Sequence, residues 1–168
     1  IFIFCCAHAD EVVRYVKESG LQQRLATVVL HVLKSHGECT SQGDALREVE
    51  ARGVIKSDFV LVPGDVVANI SLAPLIAAHK ARREVDREAV LMTVMSRVPV
   101  GHQARRGGEE KLVALSGETG RLLVYEDVQR LERKVQLPMA LLQETDRFEL
   151  HRDLYDTHID VCTVELLT

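Results

Sequence analysis

The segment that most constrains the fold is a short apolar run, Phe59–Val62, which is closed by Pro63, Gly64 and Asp65. An uninterrupted apolar run bounded by turn residues is typical of a strand that is buried on both faces inside a parallel sheet. In open α/β sheets, ligands bind just beyond the carboxyl ends of such strands. Asp65 is therefore a candidate metal-holding carboxylate. The alternative is that Asp65 only closes the turn, because strand-Gly-Asp is also ordinary turn chemistry.

The first hundred residues alternate between strand and helix patterns. Apolar and β-branched runs predict strands at residues 1–6, 27–33, 59–62 and 89–98. Helical spacing, polar starts and glycine or basic ends predict helices at residues 8–19, 45–52 and 71–83. Further along, we expect a hairpin at residues 111–125 and short strands at residues 148–150 and 157–162. The predicted fold is α/β, with a mostly parallel twisted sheet flanked by helices and an added antiparallel hairpin.

The second predicted helix has a recognisable start. Ser41 is the expected N-cap, and Asp44 follows three residues later in the position of a capping-box acid.

Composition limits the function classes. A chain of 168 residues fits one domain, and 46% apolar with 27% charged residues is ordinary for a soluble globular protein. The formal net charge of -4 argues against direct nucleic-acid binding, and no apolar run is long enough to span a membrane. The four cysteines (Cys5, Cys6, Cys39 and Cys162) have no CxxC spacing, which favours buried, reduced thiols over zinc ligands or disulfides.

Several strings of the sequence resemble one protein family. They are Phe4–Glu11, Gly43-Asp44 with Leu46–Val49, Ser57–Val62, Gly64–Val66, and Tyr155–Ile159 with Cys162. Together they look like the epsilon subunit of eukaryotic translation initiation factor 2B, in which the first domain is nucleotidyltransferase-like, that is, Rossmann-like. The resemblance implies that residues 1–168 are a single partial domain of this kind. The first strand with its Gly-rich loop, the β-helix and the helical exchange domain of the family would all be absent.

The same resemblance implies a place in a cytoplasmic, multisubunit guanine-nucleotide exchange factor. Its expected partners are the other subunits, the gamma subunit first, and initiation factor 2. The exchange activity of such subunits would lie in the missing helical domain.

Three departures from active nucleotidyltransferases argue against catalysis in this chain. The Gly-rich phosphate loop does not occur, Ser41–Asp44 stands where active relatives have Gly-Thr-Ala-Gly, and Tyr125–Val128 lacks the lysine of a Glu-Lys pair. A carboxylate 4 Å from a phosphate charge costs about 1 kcal/mol in water and about 4 kcal/mol at an effective dielectric constant near 20. We therefore predict no catalytic residue and no cofactor, with Gly43 and Asp44 as vestigial nucleotide-binding positions and Asp65 as a vestigial metal position.

The sequence thus predicts a non-catalytic scaffold domain that contributes to subunit assembly and to presenting initiation factor 2. The alternative is a sugar-phosphate nucleotidyltransferase that uses Mg²⁺ and a nucleoside triphosphate, with Asp65 as metal ligand. Leu131, Val135 and Leu137, around Pro138, are candidate docking anchors, and the alternative for them is core packing.

Overall fold

The computed structural model describes residues 1–99, 101–103, 105, 110–127, 137, 139, 143 and 145–167. The described elements are β1 (Phe2–Cys5), α1 (Ala9–Glu18), α2 (Leu21–Arg24), β2 (His31–Lys34), α3 (Gln42–Ala51), β3 (Phe59–Leu61), α4 (Leu72–Val85), β4 (Leu91–Arg97), β5 (Lys111–Ser116), β6 (Leu122–Asp127), β7 (Phe148–His151), β8 (Leu154–Cys162) and a 3₁₀ helix at Val164–Leu167. They divide into two compact units, Ile1–Phe59 with Thr163–Thr168, and Val60–Cys162. None of the described helices is long and apolar enough to cross a bilayer.

The first unit is built on a parallel pair of strands. β1 and β2 align from Phe2 opposite His31 to Cys5 opposite Lys34, and the ring of Phe2 stacks on that of His31 with centroids 5.2 Å apart. Helix α1 follows β1 and helix α3 follows β2, and all four elements belong to the first unit.

β2 begins at His31, four residues later than the sequence predicts. The cause is a side chain in α2, because the amide of Gln22 donates to the carbonyl of Val28 at 2.7 Å and accepts from the amide of Leu30 at 3.0 Å. These bonds satisfy backbone groups that would otherwise need a strand partner. A β-branched run therefore adopts an irregular conformation here.

The second unit holds two three-stranded sheets with the orders β3-β8-β4 and β6-β5-β7. β8 is antiparallel to β4, and β5 is antiparallel to both β6 and β7. The central strands carry the most buried apolar side chains of the unit. These are Leu112, Val113 and Ala114 on β5 and Ile159, Val161 and Cys162 on β8.

The predicted mostly parallel twisted sheet flanked by helices is wrong. Among the described strands, β1 with β2 is a parallel pair, whereas the larger sheets are built on antiparallel pairing. The reason is non-local, because β8 comes last in the chain yet lies between β3 and β4. β3 is also only half-buried, and Val62 beyond it is 46% exposed, so Phe59–Leu61 is not a strand buried on both faces.

Candidate functional site

The Asp44 side chain caps the N-terminus of α3. Its Oδ2 accepts from the amides of Ser41 and Thr40 at 3.1 and 3.2 Å and from the Thr40 hydroxyl at 2.9 Å. In return, the Asp44 amide donates to Ser41 Oγ at 3.1 Å, which completes the predicted capping box. The hydroxyl and amide donors, with Thr40 first, hold the pKa of Asp44 below its usual value.

The charge of Asp44 is partly countered within the helix. Arg47, three residues on, donates to Asp44 Oδ1 at 3.0 Å, and this pair is exposed enough for water to weaken it. The carboxylate therefore satisfies the first turn of its own helix, where amide N–H groups lack intrahelical partners. This explains an acid at that position without any substrate.

Replacing Ser41 with alanine should lower the free energy of unfolding by about 0.5–2 kcal/mol, because an N-cap acceptor is lost. The Asp44 amide would lose its acceptor at 3.1 Å. Urea denaturation followed by circular dichroism measures the change. Ser41→Asn is the matched control, since asparagine caps about as well as serine. Equal losses in the two variants would contradict the capping role.

Gly43 is not required by the backbone of α3. A Cβ atom built on it would lie 3.7 Å from Ser41 Oγ and 3.9 Å from Arg47 Nη1, which are ordinary van der Waals distances. A side chain would therefore fit, and the conformation does not demand glycine. The vestigial nucleotide-binding role of Gly43 stays a prediction.

Asp65 lies in an exposed turn after β3. The turn is closed by the Val66 amide, which donates to the Pro63 carbonyl at 3.3 Å. Across the described parts of the chain, no group of three or more His, Cys, Asp or Glu residues is arranged to hold a metal ion. Asp65 belongs to the second unit, and Gly43 and Asp44 belong to the first.

A polar cluster that the sequence analysis did not single out surrounds Asp156 on β8. Its Oδ2 accepts from the Tyr125 hydroxyl at 2.5 Å, and its Oδ1 accepts from the His158 amide at 2.7 Å. The His158 imidazole Nδ1 lies 3.6 Å from Asp156 Oδ2. Burial, followed by the hydrogen bond to Asp156, raises the pKa of the Tyr125 hydroxyl. The cluster joins β6 to β8.

The backbone at this cluster is irregular for a clear reason. Val94 pairs with Ile159 and Met95 pairs with Asp156, so Thr157 and His158 bulge out of the ladder. His158 adopts a left-handed φ of 58°, which non-glycine residues rarely do. The Thr157 hydroxyl donates to the Val94 carbonyl at 2.6 Å and holds the bulge. This hydrogen-bonding role accounts for the cluster without a substrate.

The comparisons with known proteins cover nearly the whole chain. It is 33% identical over 167 residues to translation initiation factor eIF2B subunit epsilon of Dictyostelium discoideum, covering 99% of this chain and 23% of that protein. It is 31% identical over 163 residues to the epsilon subunit of Schizosaccharomyces pombe, covering 97% of this chain and 24% of that protein. This chain is similar to a segment of eIF2B epsilon subunits. The resemblance carried by the strings of the sequence is thereby confirmed.

No family model matches the chain. The chain spans about a quarter of the length of these eIF2B epsilon relatives. The match therefore concerns a segment of such a subunit.

The position of the missing Glu-Lys pair, Tyr125–Val128, lies partly within the described residues. Lys111, on the neighbouring strand, lies with Nζ 3.6 Å from Asp127 and 5.3 Å from the centre of the Tyr125 ring. The nearby cation is thus already paired within the hairpin. Val128 lies outside the described residues.

The candidate docking anchors also fall largely outside the described residues. This applies to Leu131, Val135 and Pro138, whereas Leu137 is described and half-buried. Their predicted role stays a prediction.

Proposed function

We propose that this chain is a non-catalytic scaffold segment of a guanine-nucleotide exchange factor of the eIF2B type. The observation that carries the proposal is the similarity to eIF2B epsilon subunits across 97–99% of the chain. The segment would contribute to assembly with other subunits, the gamma subunit first, and to presenting initiation factor 2 in the cytoplasm. The exchange step itself is assigned to a helical domain outside this segment.

The local chemistry supports a role without turnover. The Asp44 carboxylate caps the N-terminus of α3, and Lys111 forms an ion pair with Asp127. A nucleotidyltransferase needs cations and backbone donors that face the phosphates, together with carboxylates that hold Mg²⁺. Asp65, the predicted metal position, is exposed in its turn.

Asp65→Ala is expected to leave assembly unchanged. In the complete subunit that carries this segment, co-expressed with a gamma subunit, wild type and variant should co-purify with that partner equally and exchange nucleotide at equal rates. Calorimetry with a nucleoside triphosphate and Mg²⁺ should give no saturable binding to either protein.

The matched control is Asp58→Ala, because Asp58 is also an exposed aspartate and lies at the opposite end of β3. Saturable binding that is lost in Asp65→Ala and kept in Asp58→Ala would favour the alternative, a sugar-phosphate nucleotidyltransferase. Failure of the wild-type subunit to co-purify with a gamma subunit would overturn the scaffold role.

A further inference from the structure

The three tyrosines of the chain lie in different structural settings. Tyr15 belongs to helix α1, and Tyr155 lies on β8, the middle strand of its sheet. Tyr125 lies on β6, which is at the edge of the sheet β6-β5-β7, and it is 38% exposed. Of the three, Tyr125 is the one that combines an extended backbone, an edge position and an exposed ring.

The charges beside Tyr125 also distinguish it. Glu126 and Asp127 follow it directly, whereas Tyr15 is helical and comes directly after Arg14. An enzyme that binds an extended segment by backbone pairing needs a free strand edge, and kinases select substrates by the pattern of charge around the acceptor. The strand and the acidic flank of Tyr125 therefore suit a protein tyrosine kinase with a basic peptide groove.

The Tyr125 hydroxyl joins the two sheets of the second unit. It donates to Asp156 Oδ2 on β8 at 2.5 Å. After burial and Asp156, the carboxylates of Asp160 and Asp127 also raise the pKa of this hydroxyl. Lys111 Nζ lies 5.3 Å from the centre of the tyrosine ring and is paired with Asp127. The hydroxyl is thus a hydrogen-bond donor in acidic surroundings.

We propose that Tyr125 is a phosphorylation site, at which a protein tyrosine kinase opens the connection between β6 and β8 by converting a hydrogen-bond donor into an anion. A phosphotyrosine carries a charge of about −1.5 to −2 at pH 7, and next to a carboxylate it disrupts the local structure by like-charge repulsion. The inference depends on contacts within the second unit and not on the scaffold role proposed above.

The transfer is balanced with Mg²⁺-ATP as the co-reactant. The Tyr125 oxygen attacks the γ-phosphorus, so that a new O–P bond forms while the bond to the bridging oxygen breaks and ADP leaves. The hydroxyl proton passes to the catalytic aspartate of the kinase. Because the hydroxyl is bonded to Asp156 in the folded chain, it becomes available to the kinase when this contact opens locally.

Phosphorylation would also disturb the bulge of β8. Asp156 Oδ1 accepts from the His158 amide at 2.7 Å, and the Thr157 hydroxyl donates to the Val94 carbonyl at 2.6 Å. A phosphate facing Asp156 would displace the carboxylate that supports this bulge. We therefore expect faster amide hydrogen exchange in β6 and at residues 156–158 of the modified chain.

The test is phosphorylation of the folded full chain by a tyrosine kinase that prefers acidic substrates, followed by proteolysis and mass spectrometry of the phosphopeptides. We expect Tyr125 to carry most of the phosphate. In urea denaturation, the modified chain should have a ratio of folded to unfolded protein about tenfold or more below that of the unmodified chain, because a hydrogen bond to a charged group is lost and like charges face each other. Equal or greater labelling of Tyr15 or Tyr155 would overturn the proposal.

Two variants separate the added charge from the lost hydrogen bond, and circular dichroism establishes that each folds. Tyr125→Phe loses only the hydroxyl and should lower the same ratio about threefold, less than phosphorylation does. Asp156→Asn keeps an acceptor for the hydroxyl but removes the negative charge, so phosphorylation at Tyr125 should destabilise this variant less than the wild type. A modified wild type as stable as the unmodified chain, or an equal effect of phosphorylation in Asp156→Asn, would show that Tyr125 does not act in this way.

Discussion

Replacing Ile159 with alanine is expected to lower the free energy of unfolding of the second unit by about 2–5 kcal/mol. Ile159 is 2% exposed and lies on β8, the middle strand of its sheet, opposite Val94 of β4. β8 also packs against α4 and β5 within this unit. Truncation therefore removes apolar contacts and leaves a cavity that the surrounding strands cannot easily close.

Two controls separate the cavity from a general effect of mutation in a strand. Ile159→Val keeps most of the volume and should cost about 0.5–1.5 kcal/mol. Leu150→Ala removes a similar side chain from β7, where Leu150 is 52% exposed, and should change the stability by no more than about 0.5 kcal/mol. Urea denaturation is followed by circular dichroism, because the chain has no tryptophan. A cost for Ile159→Ala as small as that for Leu150→Ala would mean that β8 is not central to the unit.

The parts of the fold that local signals determine were predictable from the sequence. Ser41 and Asp44 are three residues apart, and their capping box forms as the spacing indicates. The hairpin was predicted at residues 111–125 and is found as β5 and β6. Both features depend on residues that are close in the chain, so pattern and turn chemistry are sufficient to identify them.

The sheet topology could not be read in the same way. Strand–helix alternation indicates which residues form strands, but the direction of a strand in the sheet depends on its partner. β8 inserts beside β4 from more than 50 residues further along the chain, and its antiparallel direction leaves no local signal. The fold class therefore depends on strand pairing between segments that are far apart in the chain.

The polar clusters were missed for the same reason. Tyr125 and Asp156 are 31 residues apart, and the bulge at Thr157 and His158 that accompanies their contact has no sequence signature. The string Tyr155–Ile159 carried part of the family resemblance, but it did not indicate which of its residues form hydrogen bonds. Glu48, central to the first unit, was noted only as part of a matching string.

Lowering the pH is expected to show how much the Glu48 carboxylate contributes to the free energy of unfolding. Its carboxylate accepts from the Ser35 hydroxyl at 2.7 Å and the His36 amide at 2.9 Å, and it pairs with Arg52, whose side chain is also only 19% exposed. These interactions, led by the hydrogen bond from Ser35, lower the pKa of Glu48 from 4.5 to about 2. One residue of α3 thereby ties the helix to the segment after β2.

The direction of the pH effect follows from this pKa. A carboxylate with a lower pKa in the folded state contributes its full stability above the unfolded pKa, near 4.5, and loses it as the pH falls towards 2. The wild type should therefore lose more stability than Glu48→Gln between pH 5 and pH 2. The gap between the two proteins should be largest at neutral pH and should close near pH 2.

Urea midpoints measured at several pH values between 7 and 2 test this, and the difference between the two proteins isolates Glu48 from other acids with lowered pKa values, such as Asp10 and Asp153. Glu50→Gln is the matched control, because Glu50 is an exposed glutamate on the same helix. It should follow the wild-type curve at every pH. A wild-type advantage over Glu48→Gln that stays constant down to pH 2 would mean that the network around Glu48 does not depend on its charge.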